Sequence, residues 1–100
     1  TNDTLISQQS LQELKRLALY LLRNRMIVEI RGHTDNQGSE TDNYKLSLNR
    51  AKAVYTQLRN LKVSAWQLKY AGFGSRRPIA GNDTEEGRKN NRRVEVVLLL

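Results

Sequence analysis

EIRGHTDNQGSETDNYKLSLNRAKAVYTQL, residues 29–58, contains a strand, a polar break and an amphipathic helix in immediate succession. Extended backward to Met26, its start alternates. Val28 and Ile30 fall on one face and Ile27, Glu29 and Arg31 on the other, which predicts a strand over 26–31. Gly32 ends the alternation, and residues 32–43 are expected to form a loop. Gly38 permits a positive φ there, and Ser39, Thr41, Asp42 and Asn43 are turn or cap formers. From Asn43 or Tyr44 to Asn60 the spacing is helical, with Leu46, Ala53, Val54, Leu58 and Leu61 on one stripe. Arg50 lies four residues after Leu46 and four before Val54, so it points along the stripe expected to be buried.

A guanidinium turned toward the core needs a partner, because an unpaired charge away from water is costly. Asp35, at the end of the strand, is the nearest acid in the expected topology. Two arrangements satisfy both groups. One is a direct Asp35–Arg50 salt bridge. In the other a gap separates them, the carboxylate takes an ammonium and the guanidinium takes a carboxylate, so the pair suits a zwitterion such as an amino-acid head group. Asn43 and Ser47, on the same helix side, could add polar contacts.

Outward from this stretch, residues 5–24 read as a helix, with Leu11, Leu14, Leu17, Ala18, Leu21 and Leu22 on one face. Ser7 is the preferred N-cap, with Ile6 and Leu11 as a hydrophobic staple; Ser10 with Glu13 is the competing capping box. A helix running straight into a strand implies an earlier strand, and none is evident before Thr4. Downstream, a turn over 61–65 leads to a short strand over 68–71. Gly72, Gly74 and Pro78 mark a loop that continues through Gly81. Thr84 with Glu85 and Glu86 predicts the cap and acidic first turn of a short helix. Residues 92–99 read as an apolar, central strand.

One hundred residues suit one domain, and 38% hydrophobic with 27% charged residues is the balance of a globular chain. No apolar run approaches the ~20 residues that cross a bilayer. The absence of cysteine excludes disulfides and thiolate zinc sites. The net charge of +7 favours a polyanionic partner, whether nucleic acid, anionic lipid or a cell-wall polymer. Against nucleic acid, the basic residues are dispersed and aromatics are few. The cluster Arg88, Lys89, Arg92 and Arg93 reads as a solvated face paired with Glu85, Glu86 and Glu95. The lone His33 reads as structural. Asp35, Glu40 and Asp42 lack the spacing of a calcium loop, and no nucleophile has a positioned base, so neither metal, cofactor nor catalysis is expected. The abrupt start at Thr1 suggests a fragment of a larger protein.

Two motifs carry a resemblance to a known family. Gly32-His33-Thr34-Asp35, Gly38, and Asn43-x-x-Leu46-Ser47-x-x-Arg50-Ala51-x-x-Val54-x-x-x-Leu58 resemble the peptidoglycan-binding signature of OmpA-like domains. So does Gly72-Phe73-Gly74-x-x-x-Pro78-Ile79-Ala80-x-Asn82-x-Thr84-x-x-Gly87-Arg88-x-x-Asn91-Arg92-Arg93-Val94-Glu95. The family includes the periplasmic domains of outer-membrane porin-like proteins, peptidoglycan-associated lipoproteins and flagellar-motor stator subunits. The resemblance, over roughly residues 5–98, implies an α+β domain of β-α-β-α-β-β order, with a mixed sheet and helices on one face. Residues 1–4 supply at most a stub of the opening strand, which is therefore expected to be truncated. The resemblance also implies non-covalent binding of the diaminopimelate in the peptidoglycan stem peptide. Asp35 would hold its ammonium and Arg50 its carboxylate, with Asn43, Leu46, Thr34 and Arg92 as further contact positions. The implied protein is a wall-anchoring binding module, monomeric or weakly dimeric, in the periplasm of a Gram-negative bacterium as part of an outer-membrane-associated protein.

Overall fold

The computed structural model describes the backbone of residues 3–6 and all of residues 11–100. The elements are β1 (Asp3–Ile6), α1 (Leu11–Arg23), β2 (Val28–His33), α2 (Glu40–Asn60), β3 (Leu68–Gly72), α3 (Glu85–Asn91) and β4 (Arg93–Leu98), with a 3-10 turn at Ala65–Gln67 before β3. The sheet order is β1-β4-β2-β3. β4 runs antiparallel to both β1 and β2, and β2 runs parallel to β3. The sheet is mixed, as expected, and β4 is central. β1 and β2 therefore share a direction with β4 inserted between them, and α1 is the crossover between the two.

That topology corrects the reading of the N-terminal segment. Residues 3–6 are not the start of a helix but a short strand whose register pairs Asp3 with Leu98 and Thr4 with Val97. β4 has one edge on β2, and its other edge needs a ladder partner for its backbone donors and acceptors. Local helical spacing cannot report that demand. The caps assigned to Ser7 and Ser10 lie outside the described residues.

α1 buries Leu14, Leu17, Ala18 and Leu21. Leu11 and Leu22, counted on the same face from the sequence, are exposed, so the buried stripe is narrower than expected. Gln67, itself buried, donates from Nε2 to the carbonyls of Leu21 (2.8 Å), Asn24 (3.0 Å) and Met26 (3.2 Å), tying the end of α1 to the turn before β3. The core joins the α1 residues to Val28 and Ile30 of β2, Ala51, Val54 and Leu58 of α2, and Leu68, Val94 and Val96 of the other strands. Each of the Val, Leu and Ile side chains among them contributes about 1.5–3 kcal/mol through burial.

β2 does not stop at Arg31. Gly32 pairs with Val94 on one side and Gly72 on the other, and His33 pairs with Arg93. Gly32 is thus a strand residue, retained because α2 passes directly over it. A Cβ on Gly32 would overlap the Ser47 carbonyl group; one on Gly72 would stand 2.6 Å from both the Leu48 amide nitrogen and Ser47 Oγ. α2 also starts earlier than the sequence suggests, at Glu40, with Ser39 Oγ accepting from the Asp42 amide at 3.1 Å. Its buried residues are Asn43, Ser47, Ala51, Val54 and Leu58 rather than the stripe through Leu46 and Ala53, both of which are exposed. The face that lies against the glycines is small and polar at its start, which an apolar count misses.

Gly32→Ala and Gly72→Ala should each destabilise the fold by about 2 kcal/mol or more, since backbone rather than a flexible side chain must move. Gly38, with φ +85° but open space around it, is the control: Gly38→Ala should cost about 1 kcal/mol from conformation alone. Urea unfolding of the three variants checks the order. A Gly32→Ala midpoint equal to wild type would show that α2 does not depend on this approach.

Candidate functional site

β2 delivers Thr34 and Asp35 to the end of the sheet, where both are buried. The Thr34 amide donates to the Gly74 carbonyl at 2.9 Å, joining this corner to the loop after β3. Thr34 Oγ1 donates to the Asp35 carbonyl at 2.8 Å, and Asn43 Nδ2 reaches the same oxygen at 3.4 Å from the first turn of α2. Thr34 and Asn43 therefore hold the backbone of Asp35 and leave its carboxylate to other partners. Oδ1 accepts from the Gln37 amide at 3.0 Å, and Oδ2 accepts from Arg92 Nη1 at 2.8 Å. Burial alone would raise the Asp35 pKa. The Gln37 amide and the Arg92 guanidinium outweigh it and hold the carboxyl below its ordinary value, so Asp35 is an anion.

The partner of Asp35 is thus Arg92, and the direct Asp35–Arg50 salt bridge weighed from the sequence does not form. Arg92 follows α3, and its guanidinium also donates from Nη2 to Glu85 Oε2 at 2.7 Å. Glu85 was not singled out as part of the site. It lies two helical turns before Arg92, and only the packing of α3 against the end of β2 reveals the three-membered chain Asp35–Arg92–Glu85. α3 begins at Thr84 as expected, with Oγ1 accepting from the Gly87 amide at 3.0 Å.

Arg50 lies at the margin of the buried face of α2 and is partly exposed. It forms no ion pair among the described residues. It lines an open cleft of about 460 Å³ with Ala53, Val54 and Gln57 of α2 and Arg92, Arg93 and Val94 from the start of β4. Its charge needs no buried partner because it faces that cleft, not the core. Leu46, one turn earlier, is 42% exposed and makes no polar side-chain contact. Of the six residues expected at a site, Asp35, Thr34, Asn43 and Arg92 form one connected cluster. Arg50 meets that cluster across the cleft through Arg92, and Leu46 stands outside it.

Ser47 has a structural role. Fully buried, it donates from Oγ to the Tyr44 carbonyl at 2.8 Å and accepts from the Gly74 amide at 2.9 Å. Asn91 does the same for the following loop. Its Oδ1 accepts from the Ile79 amide at 2.8 Å and the Ala80 amide at 3.0 Å, while Nδ2 donates to the Ala80 carbonyl and to Asn82 Oδ1. Helical spacing alone does not distinguish Asn91 from its exposed neighbour Asn90; only the motif match includes it.

His33 is structural, as expected. It is buried, and its Nε2 lies 3.0 Å from Glu95 Oε1, whose other oxygen accepts from Arg93 Nε at 3.0 Å. Phe73 stacks on the imidazole at 5.5 Å, and the Arg77 guanidinium covers the other ring region of Phe73 at 4.1 Å. Nδ1 has no partner among the described residues. An Nε2 proton shared with the carboxylate leaves Nδ1 as a bare acceptor, which fits a neutral ring. Burial and then the Arg93 charge push the His33 pKa below 6.5, against the pull of Glu95. The basic cluster is paired in part as anticipated, Arg88 and Arg92 with Glu85 and Arg93 with Glu95, but Arg93 is buried rather than on a solvated face, because it lies in β4 against Glu95. Among the described residues no acid–histidine group could hold a metal ion, and no helix is long and apolar enough to cross a membrane.

The profile of the OmpA family matches residues 1–92. The peptidoglycan-binding protein ArfA of Mycobacterium tuberculosis is 49% identical over 71 residues, which cover 71% of this chain and 22% of ArfA. The outer-membrane lipoprotein YfiB of Pseudomonas aeruginosa is 41% identical over 71 residues, covering 71% of this chain and 42% of YfiB. The crystal structure of the peptidoglycan-associated lipoprotein from Burkholderia pseudomallei superposes with a TM-score of 0.86 at 26% identity, over 98% of this chain and 89% of that one. The chain thus spans less than half the length of ArfA and of YfiB.

The His33 cluster sets a pH dependence. The folded state binds the His33 proton less tightly than the unfolded state does, so stability is complete above the ordinary value of 6.5 and declines as pH falls below it. A second decline follows below the ordinary values of 4.5 and 3.8, as Glu95 and Asp35, both lowered in the fold, take up protons. Urea midpoints measured between about pH 7.5 and 5.5 should fall for wild type and stay flat for His33→Gln, which is less stable throughout. Equal slopes for the two proteins would remove His33 as the titrating group.

Proposed function

This chain belongs to the OmpA family, and from that premise we propose that it is a peptidoglycan-binding module which grips the zwitterionic end of a diaminopimelate side chain in the stem peptide. Asp35 takes the ammonium and Arg50 the carboxylate. The observation that carries this reading is the Arg50 guanidinium, without an ion pair among the described residues and set in an open cleft that Arg92, the residue bonded to the buried Asp35 anion, also lines. A single buried salt bridge would have used both charges. Here Arg50 remains addressed to a ligand carboxylate, which a guanidinium can meet through two parallel hydrogen bonds, while Asp35, held by Arg92 in this state, is the acid on the other side of the cleft for the ligand's ammonium.

Thr34 and Asn43 serve this site by fixing the Asp35 backbone. The peptidoglycan-binding function named for ArfA, and the wall association named for the lipoprotein of Burkholderia pseudomallei, support the same ligand class. The reading extends to a periplasmic domain within a longer envelope protein that it anchors to the wall. It is a binding module: His33 is buried away from the cleft and the acid beside it is committed to Arg93. A nucleic-acid surface is disfavoured, because Arg88, Arg92 and Arg93 are already paired with acids.

Purified peptidoglycan should sediment wild type and lose both Asp35→Ala and Arg50→Ala by about tenfold or more in affinity. The two variants should differ in stability. Arg50→Ala, which breaks no ion pair, should shift unfolding by less than about 0.5 kcal/mol. Asp35→Ala, which strands the Gln37 amide and Arg92, should cost about 1–3 kcal/mol. Co-sedimentation of Arg50→Ala at the wild-type level would overturn the assignment.

A further inference from the structure

Arg92 occupies the place at Asp35 that an incoming ammonium would need. Its Nη1 lies 2.8 Å from Asp35 Oδ2, and among the described side chains it is the sole cation hydrogen-bonded to that carboxylate. A ligand ammonium and the guanidinium are both cations. Unless Arg92 is drawn aside, it competes for the same oxygen and repels the newcomer at short range. The structure contains the group that can draw it aside. Glu85 Oε2 holds the other nitrogen, Nη2, at 2.7 Å, and Glu85 Oε1 lies 3.5 Å from Nη1 itself. Glu85 can therefore accept both nitrogens of the fork once Asp35 lets go, by a small rotation at the end of a side chain that is about one-third exposed.

We infer that Glu85 is a positioning residue for the binding site: it takes over Arg92 when an ammonium docks on Asp35, keeping the displaced guanidinium neutralised beside the cleft. The inference rests on the zwitterion reading above and adds a residue that touches no ligand. The neighbourhood supports the handover. Arg88 also reaches Glu85, at 3.4 Å from Nε to Oε1, while its Nη1 is anchored on the Asn82 carbonyl at 3.0 Å, so the acid is steadied from its other side. Glu85 projects from a turn that Thr84 caps and that packs tightly through Gly87, where a Cβ would overlap the Gly81 carbonyl. The acceptor is exposed and the carboxylate it competes with is buried, so the exchange moves Arg92 outward, toward solvent and the mouth of the cleft.

Removing Glu85 leaves Arg92 with Asp35 as its only acid and makes it a stronger competitor. The test is a binding titration of a soluble diaminopimelate stem peptide against wild type, Glu85→Gln, Arg92→Gln and the double variant, with Asp35→Ala as the control for the underlying site. Glu85→Gln should weaken binding about three- to fivefold, the range of a partly exposed ion pair. The same substitution in the Arg92→Gln background should have no effect, because nothing remains to be steered. A stem peptide with its side-chain amine acetylated should bind wild type and Glu85→Gln equally, which a general loss of structure would not produce. Equal binding of the free amine peptide by wild type and Glu85→Gln overturns the inference, as does an equal loss on adding Glu85→Gln to Arg92→Gln. Retained binding by Asp35→Ala instead overturns the site itself, and so separates the two failures.

Discussion

The close passage of α2 across Gly32 and Gly72 is the constraint on which the rest of the molecule depends. Two strands of a parallel pair each give up a side chain at the same level, and the backbone around Ser47 and Leu48 takes the space. Ser47 completes the junction by accepting from the Gly74 amide, so helix, strand end and following loop are one unit. This contact fixes how α2 is rotated on the sheet. Asn43 is brought over the Asp35 backbone, and Arg50 is carried to the edge of the buried face, where a charge remains hydrated. Had a larger residue stood at position 32, the helix would sit farther out and both Asp35 and Arg50 would lose their setting.

The same unit explains why the charges at the end of the sheet divide into two systems. On one side His33, Glu95 and Arg93 form a buried chain beneath Phe73 and Arg77, and every charge in it is matched. That chain seals the sheet under the long loop before α3, which Asn91 holds from below. On the other side Asp35, Arg92 and Glu85 form a chain that grows more exposed along its length, from a buried carboxylate to a solvated one. A matched and buried network resists rearrangement, since any break strands a charge. A network with one end in water can exchange partners at small cost. The fold places the buried chain under the loop and the chain with a solvated end at the cleft.

Much of this was legible in the residues. The alternation around Val28 and Ile30, the helical spacing after Asn43, the cap at Thr84 and the apolar run before Leu100 announced their elements, because each is a local pattern with a local cause. The motif match identified the family and singled out Asp35 and Arg50. What eluded the sequence shares one property: it depends on a neighbour distant along the chain. Residues 3–6 form a strand because β4 needs an edge partner nearly a hundred positions away. Gly32 looks like a strand breaker and is a strand residue because a helix lies on it. Leu46 and Leu11 fit an apolar stripe and are exposed because the stripe that packs is set by the sheet's surface, not by the helix alone.

By itself, then, the sequence determined the order of elements from α1 onward, the family and the presence of one acid and one base whose positions called for a reason. Periodicity and capping act over a few residues, and spacing within a motif is preserved in the chain whatever the packing. Only the tertiary structure decided how those charges are used. It paired Asp35 with Arg92 rather than Arg50, left Arg50 facing an open cleft, and brought Glu85 within reach of the guanidinium between them. The reason is physical: an ion pair is a matter of a few ångströms, and those distances are set by how α2 and α3 pack on the sheet, not by how far apart the residues stand along the chain.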